Sequence, residues 1–355
     1  MGRSTHARPA RGDAPAVAGF AAYTLRRGAG IEGLTRVTRT RAVPGPHEVR
    51  VRMHAVALNH RDLMMARGHA GPPDLDVIPV SDGAGEVVET GREVTRLRVG
   101  DRVMSTFFPD WHDGVPDSAA IARALGGTAD GVLAEEAVMD EHAWVAMPAH
   151  LDFAEAATLP CSAVTAWNAL FVAAPLKPGD TVLLLGTGGV SIWALQLAKA
   201  AGLRVVITSS DDEKLERATA LGADATINYR RTPEWEKDVL RLTGGRGADR
   251  VLDIGGPDTL SRSIEAARIG ATIAVIGRLT GLDGVTIDPA ALFGRGKRLA
   301  GILVGSRAMT EDVARFVEVV GIRPVIDRLF DFERAREAYA HLGSAQHIGK
   351  VVIRL

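Results

Sequence analysis

The sequence predicts an α/β fold in two lobes, the second built on a doubly wound parallel sheet. Three observations predict it: nearly all-apolar strands alternating with helical patterns after Asp152, a glycine loop between the first of those strands and its helix, and a strand-rich, turn-rich stretch before them. Near-continuous apolar strands belong to parallel sheets that helices cover on both faces. That is the Rossmann-type arrangement. At 355 residues the chain is long for one domain, and each lobe can bury its own core.

Residues 1–18 carry Arg3, Arg8 and Arg11 without the apolar centre of a secretory leader, and read as a flexible tail. From Gly45 to Val103, short β-type runs at residues 48–53 and 85–89 are broken by Gly, Pro and Asp-rich turns, with a short helix at residues 59–67. Residues 109–131 are polar and irregular; a cover over a site and plain disorder are both open readings. The second lobe takes strands at residues 181–185, 204–208, 225–228, 249–254 and 271–276. Helices at 190–201, 212–221, 233–242 and 257–267 separate them. Beyond residues 298–305, helices at 310–320 and 332–341 and a last strand at 349–353 are expected to return to the first lobe. The expected division is 19–160 completed by 306–355, and 161–305.

Composition narrows the function classes. A formal net charge of -1 gives no general attraction to phosphate backbones or anionic membranes, so no nucleic-acid role is expected. No apolar run is long enough to span a membrane. Cys161 is the single cysteine, so no intrachain disulfide can form, and the cytoplasm is the expected compartment.

The loop from Gly186 through Thr187, Gly188, Gly189 and Val190 to Ser191 matches G-x-G-x-x-G at its first two glycines, with Ser191 in place of the third. Alone the motif is weak, but it follows an apolar strand and opens a helix, as phosphate binding at a helix N-terminus requires. The first glycine allows a tight turn and the second lets backbone N–H groups approach a pyrophosphate; serine is small enough for the third place. Cofactor choice is read at the end of the second strand, where NAD sites place Asp or Glu for the ribose hydroxyls. Ser209 stands there, Ser210 follows, Lys214 adds charge one helical turn on, and Arg230 follows the third strand. This favours NADPH. The competing reading has Asp211 or Asp212 swing back to hold a ribose, although Ser-Asp before a helix is also an ordinary cap. Tyr229, Gly277 and Arg278 complete the candidate cofactor contacts.

Together with that loop, six blocks carry a family resemblance: Ala57-Leu-Asn-His-Arg-Asp-Leu, Asp82-Gly-Ala-Gly-Glu-Val-Val, Val99-Gly-Asp-Arg-Val, the stretch from Ala156 to Trp167, Leu221-Gly-Ala-Asp, and the closing Gly349-Lys-Val-Val. In this order they resemble the medium-chain dehydrogenase/reductase superfamily, and within it the zinc-free quinone oxidoreductase branch. The resemblance implies a GroES-like β-rich catalytic domain, an active site between the lobes, and a homodimer paired through strands near residues 273–277 and 299–304. Zinc-binding relatives place cysteine where this chain has Asn59 and His-Glu where it has Ser81-Asp82, leaving only Cys161 in a matching place. A catalytic zinc needs about three protein ligands, so no metal is expected. A site improvised from His60, Asp62 and Cys161 is the alternative.

The resemblance also implies that Asn59 and Thr165 lie near nicotinamide and substrate, although a helix cap and a helix-interior hydroxyl are their plainer readings. Some relatives carry a tyrosine whose place falls at Ala70. His69 beside it is a candidate proton donor, or an exposed loop histidine without a role. Arg61 and Asp62 read as a structural charge pair, Cys161 as a packed thiol at the lobe junction, and Trp111 with His112 as a cap on the pocket. Without a Lewis acid, a conjugated acceptor is the easier substrate, because hydride enters a delocalised system. The leading expectation is therefore an NADPH-dependent quinone or enone reductase. A metal-free alcohol dehydrogenase or imine reductase of a biosynthetic pathway, and a non-catalytic NADPH-binding sensor, are the alternatives.

Overall fold

The computed structural model describes residues 19–69 and 76–355. The expected tail and Ala70 lie outside the described residues.

The first lobe opens with β1 (Gly19–Leu25) and β2 (Leu34–Thr40), an antiparallel pair that the sequence pattern did not single out. β3 (Glu48–Leu58) leads into helix α1 (His60–Ala66), followed by β4 (Asp82–Thr90), β5 (Arg102–Ser105), β6 (Glu136–Asp140) and β7 (Trp144–Ala146). A helical run of α2 (Phe153–Ala156), α3 (Val164–Trp167) and two π-type turns around α3 then joins the lobes.

The second lobe is the expected parallel sheet. Its strands are β8 (Thr181–Leu185), β9 (Arg204–Ser209), β10 (Ala225–Asn228), β11 (Ala248–Asp253), β12 (Ala267–Val275) and β13 (Arg298–Gly301). They run in the order β10-β9-β8-β11-β12-β13. Every residue of β8 and β11 is buried, as a strand covered on both faces demands. The covering helices include α4 (Gly189–Ala200), α5 (Asp212–Ala220), α6 (Trp235–Leu242), α7 (Leu260–Ala266) and α8 (Ala290–Phe293). The order in which strands are laid down reverses between β8 and β11, so the crevice beyond their carboxyl ends is where such a sheet accepts a ligand. Of the two strands named for the expected dimer, that at residues 273–277 is corrected as an edge: β12 is paired on both sides, whereas β13 ends the sheet with one edge free.

After α9 (Arg307–Val320), strands β14 (Ile326–Asp331) and β15 (Lys350–Arg354) return to the first lobe on either side of α10 (Ala335–Gly343). The sheet order there is β14-β15-β3-β4-β5-β7, with β6 paired to β3. β15 lies antiparallel to β3, with Val351 opposite Leu58. Its entry residue Gly349 bridges Gly188, and the Gly349 N–H donates to the Thr187 carbonyl at 3.0 Å. The closing strand of one lobe therefore touches the glycine loop of the other. Among the described residues no helix is long and apolar enough to cross a membrane.

Candidate active site

A cleft of about 550 Å³ opens between the lobes at the carboxyl ends of β8, β11 and β12. On the second lobe's side, Gly186 ends β8 with φ +72°, the left-handed turn for which a side chain is penalised. Gly188 caps α4, and Gly188, Gly189 and Val190 line the cleft with the helix N-terminus behind them. Ser191, fully buried, satisfies its hydroxyl on the Leu185 carbonyl at 2.7 Å, which is how serine is accommodated in the third glycine place. Gly277 and Arg278 line the cleft beyond β12.

At the end of β9, Ser209 is buried and accepts the Asp211 N–H at 3.4 Å. Both neighbouring acids have local partners. Asp211 caps α5 by accepting the Lys214 N–H at 3.1 Å, while Asp212 accepts from Asn228 at 2.8 Å and pairs with Arg231. Lys214 donates to the Ala345 carbonyl at 2.7 Å, and burial pulls its pKa down. Ser210 is half-buried; Tyr229 and Arg230 are exposed past β10.

Opposite the glycine loop, α1 presents Asn59 as its N-cap. The Asn59 N–H donates to Asp62 Oδ2 at 2.7 Å, and burial raises the Asp62 pKa to about 6. The side chain of Asn59 meets Lys350, which the sequence reading missed. Lys350 is 2% exposed, and its ammonium donates to Asn59 Oδ1 at 2.5 Å and to the Leu58 carbonyl at 2.8 Å. Asp82 Oδ2 lies 3.5 Å away as its counter-charge. The same carboxyl accepts the Cys161 N–H and the Ser81 hydroxyl. Gly189 makes room for this: a Cβ there would stand 2.8 Å from Lys350 Cδ and 2.7 Å from Ser162 Oγ. An ammonium has no acceptor, so only the oxygen of the Asn59 amide can face it. Asn59 Nδ2 is left buried and without a partner among the described residues, in a side chain that lines the cleft. Thr165, on α3 and 3% exposed, lines the same space.

Residues 45–149 match the family model of the alcohol dehydrogenase GroES-like domain, and residues 189–319 that of the zinc-binding dehydrogenases. A zinc-type alcohol dehydrogenase-like protein of Schizosaccharomyces pombe is 44% identical over 317 residues, 87% of this chain and 91% of that protein. The chain belongs to the medium-chain dehydrogenase/reductase superfamily. It is similar, too, to a quinone oxidoreductase of Pseudomonas aeruginosa, 31% identical over 88% of this chain and 92% of that one. A solved structure designated an alcohol dehydrogenase of Sinorhizobium meliloti matches with a TM-score of 0.88 at 41% identity, covering 95% and 99% of the two chains. A NAD-dependent alcohol dehydrogenase matches with 0.86 at 35%, covering 94% and 99%. As a member of this superfamily the protein is an oxidoreductase.

Zinc-binding members of the superfamily raise the question of metal fit. The donors present are Asn59, Ser81, Asp82 and Cys161, and they suit zinc poorly. Enclosure pushes the Cys161 thiol up to about 12, and Lys350 already engages Asn59 and Asp82. Asp62 commits one carboxyl oxygen, Oδ2, to the Asn59 backbone N–H. Among the described residues no group of three or more His, Cys, Asp or Glu is placed to hold a metal.

Several expectations are redrawn. His69 lies exposed past α1 and is not among the cleft's lining residues. Arg61 and Asp62 go to different partners: the Arg61 guanidinium donates to the Leu125 carbonyl at 2.7 Å and lies 4.3 Å over the Phe107 ring. Trp111 and His112 are not among the cleft's lining residues. Trp111 is buried with Phe107 and Phe108, and the carbonyls of Trp111 and His112 accept the first N–H groups of α9. Phe107 reaches the cleft instead. His347 also lines it, with its pKa pushed down to about 4 by burial.

Proposed function

We propose that this protein is a zinc-independent, cytoplasmic reductase that passes hydride from NADPH to the conjugated system of a quinone or an α,β-unsaturated carbonyl compound. The observation that carries the reading is Asn59 Nδ2, a buried hydrogen-bond donor without a partner among the described residues, in a cleft shared with the glycine loop. A buried donor left unmade costs about 1–3 kcal/mol, a cost that a substrate oxygen would relieve. Leu58, Phe107, Ile276, Ile302 and Val304 line the same cleft and suit the flat apolar body of such an acceptor.

Bound nicotinamide supplies the hydride. The chain's residues do the rest: the glycine loop and the α4 N-terminus bind phosphate, Thr165 and Val190 shape the floor, and Asn59 Nδ2 donates to the carbonyl oxygen as it takes up the displaced electron pair. The resulting enolate or phenolate is protonated by water. NADPH is favoured because Ser209 leaves no carboxylate at the strand end and both Asp211 and Asp212 are engaged locally. Arg61, Arg67, Arg278 and Lys350 line the cleft while no described carboxylate does, a charge balance suited to an anionic cofactor. A homodimer through the free edge of β13 belongs to the same proposal.

Stopped-flow loss of NADPH absorbance against a panel of quinones, enones, imines and plain ketones tests the reading. Turnover with quinones or enones is expected. Turnover confined to ketones or imines, or none despite tight NADPH binding, overturns it.

A further inference from the structure

We propose that Lys350 is a positioning residue for the reaction: its buried ammonium fixes the orientation of the Asn59 amide, so that Nδ2 is the end turned to the substrate oxygen. The inference rests on the reading above for what Asn59 touches, and on the geometry for how Asn59 is held. Free asparagine amides can present either end, and a donor presented half the time is a poor one. Lys350 removes the choice, because turning the amide over would set NH₂ against NH₃⁺. The remaining protons of the ammonium are directed at the Leu58 carbonyl and Asp82, both on the side of the first lobe. Asn59 Oδ1 also receives the Ser162 hydroxyl at 3.3 Å, a second donor enforcing the same orientation. Gly189 has a matching role, since the Lys350 stem crosses the space where a Cβ would stand. The chain thus sets an organic cation, delivered by its last strand, among Asn59, Asp82 and Cys161.

The test uses 4-nitrophenol, whose ionised form absorbs visibly and resembles the oxygen anion of the reduced acceptor. With the full chain saturated by NADP⁺, bound 4-nitrophenol is expected to ionise at a lower pH than free, by about one unit, or tenfold more phenolate at a fixed pH. Lys350→Met and Asn59→Ala should each abolish the shift, and the double variant should lose no more than either alone, because both act through one amide. A structural role for Lys350 would instead give independent, additive losses. A shift that survives Lys350→Met, additive losses, or no shift in the unaltered protein overturns the inference. Lys350→Met strands Asp82, so Lys350→Met with Asp82→Asn serves if the single variant does not fold. Asn59→Asp keeps a partner for the ammonium but removes the donor, and must lose the shift; retention also overturns the inference. A shift without turnover of any conjugated acceptor sinks the proposed function and leaves Lys350 standing; turnover without a shift does the reverse.

Discussion

Replacing Ser209 by aspartate puts the cofactor reading on one side chain. Ser209 ends β9, is 4% exposed and accepts the Asp211 N–H, so a carboxylate at this position keeps that hydrogen bond and faces the adenosine ribose expected there. At a separation of about 5 Å and an effective dielectric near 20, each pair of like charges repels by about 3 kcal/mol. The neighbouring Tyr229 and Arg230 are exposed, so solvent and salt reduce this to about 1–2 kcal/mol. NADPH binding should weaken by about five- to thirtyfold. With NADH the carboxylate accepts from the ribose hydroxyls, a net gain of about 1–2 kcal/mol. The NADPH-to-NADH affinity ratio should therefore fall by about 100-fold. Fluorescence titration with each cofactor, alongside kcat/KM, measures it. A ratio unchanged in Ser209→Asp, or unaltered protein that binds both cofactors equally, refutes the reasoning.

Other outcomes follow from individual buried groups. Burial raises the Asp62 pKa to about 6, above its unfolded value, so the folded chain holds a proton that the unfolded chain releases. Its contribution to stability is greatest below about pH 4 and is lost as pH rises to about 6, a fall of up to about 3 kcal/mol. Asp62→Asn should flatten that slope in urea unfolding; parallel curves for both proteins count against it. Arg250, 1% exposed in β11, donates to the Ala169 and Ala174 carbonyls at the end of the linking helical run. Arg250→Ala leaves a cavity and two abandoned acceptors, and should cost about 3–5 kcal/mol by the urea midpoint; a loss under about 1 would show that the run does not depend on this anchor. Activity should survive exhaustive chelation and gain nothing from added zinc, whereas loss on chelation with recovery in zinc would defeat the metal-free mechanism.

The second lobe was legible because its signals are local. Each strand is apolar along its length, each helix follows within a few residues, and the Gly186 loop sits between the two that define it. β1 and β2 escaped notice because their paired residues alternate exposure irregularly, and the helical run from Phe153 to Val172 hides its period in π-type turns. Trp111 looked like a pocket cap because an aromatic in a polar loop is conspicuous, yet packing on Phe108 and α9 drew it away from the cleft.

By itself the sequence determined the sheet, the glycine loop at its first strand, the superfamily and Asn59 as a candidate in the cleft. Lys350 was decided only by the tertiary structure. In the sequence it is one lysine at the head of an apolar strand, indistinguishable from a solvated end. Its burial arises because β15 pairs antiparallel with β3, bringing the ammonium to Leu58 and Asn59 across almost the whole chain. Contacts of that sequence separation leave no local pattern, so the group that holds Asn59 in place becomes visible only when the strands are paired.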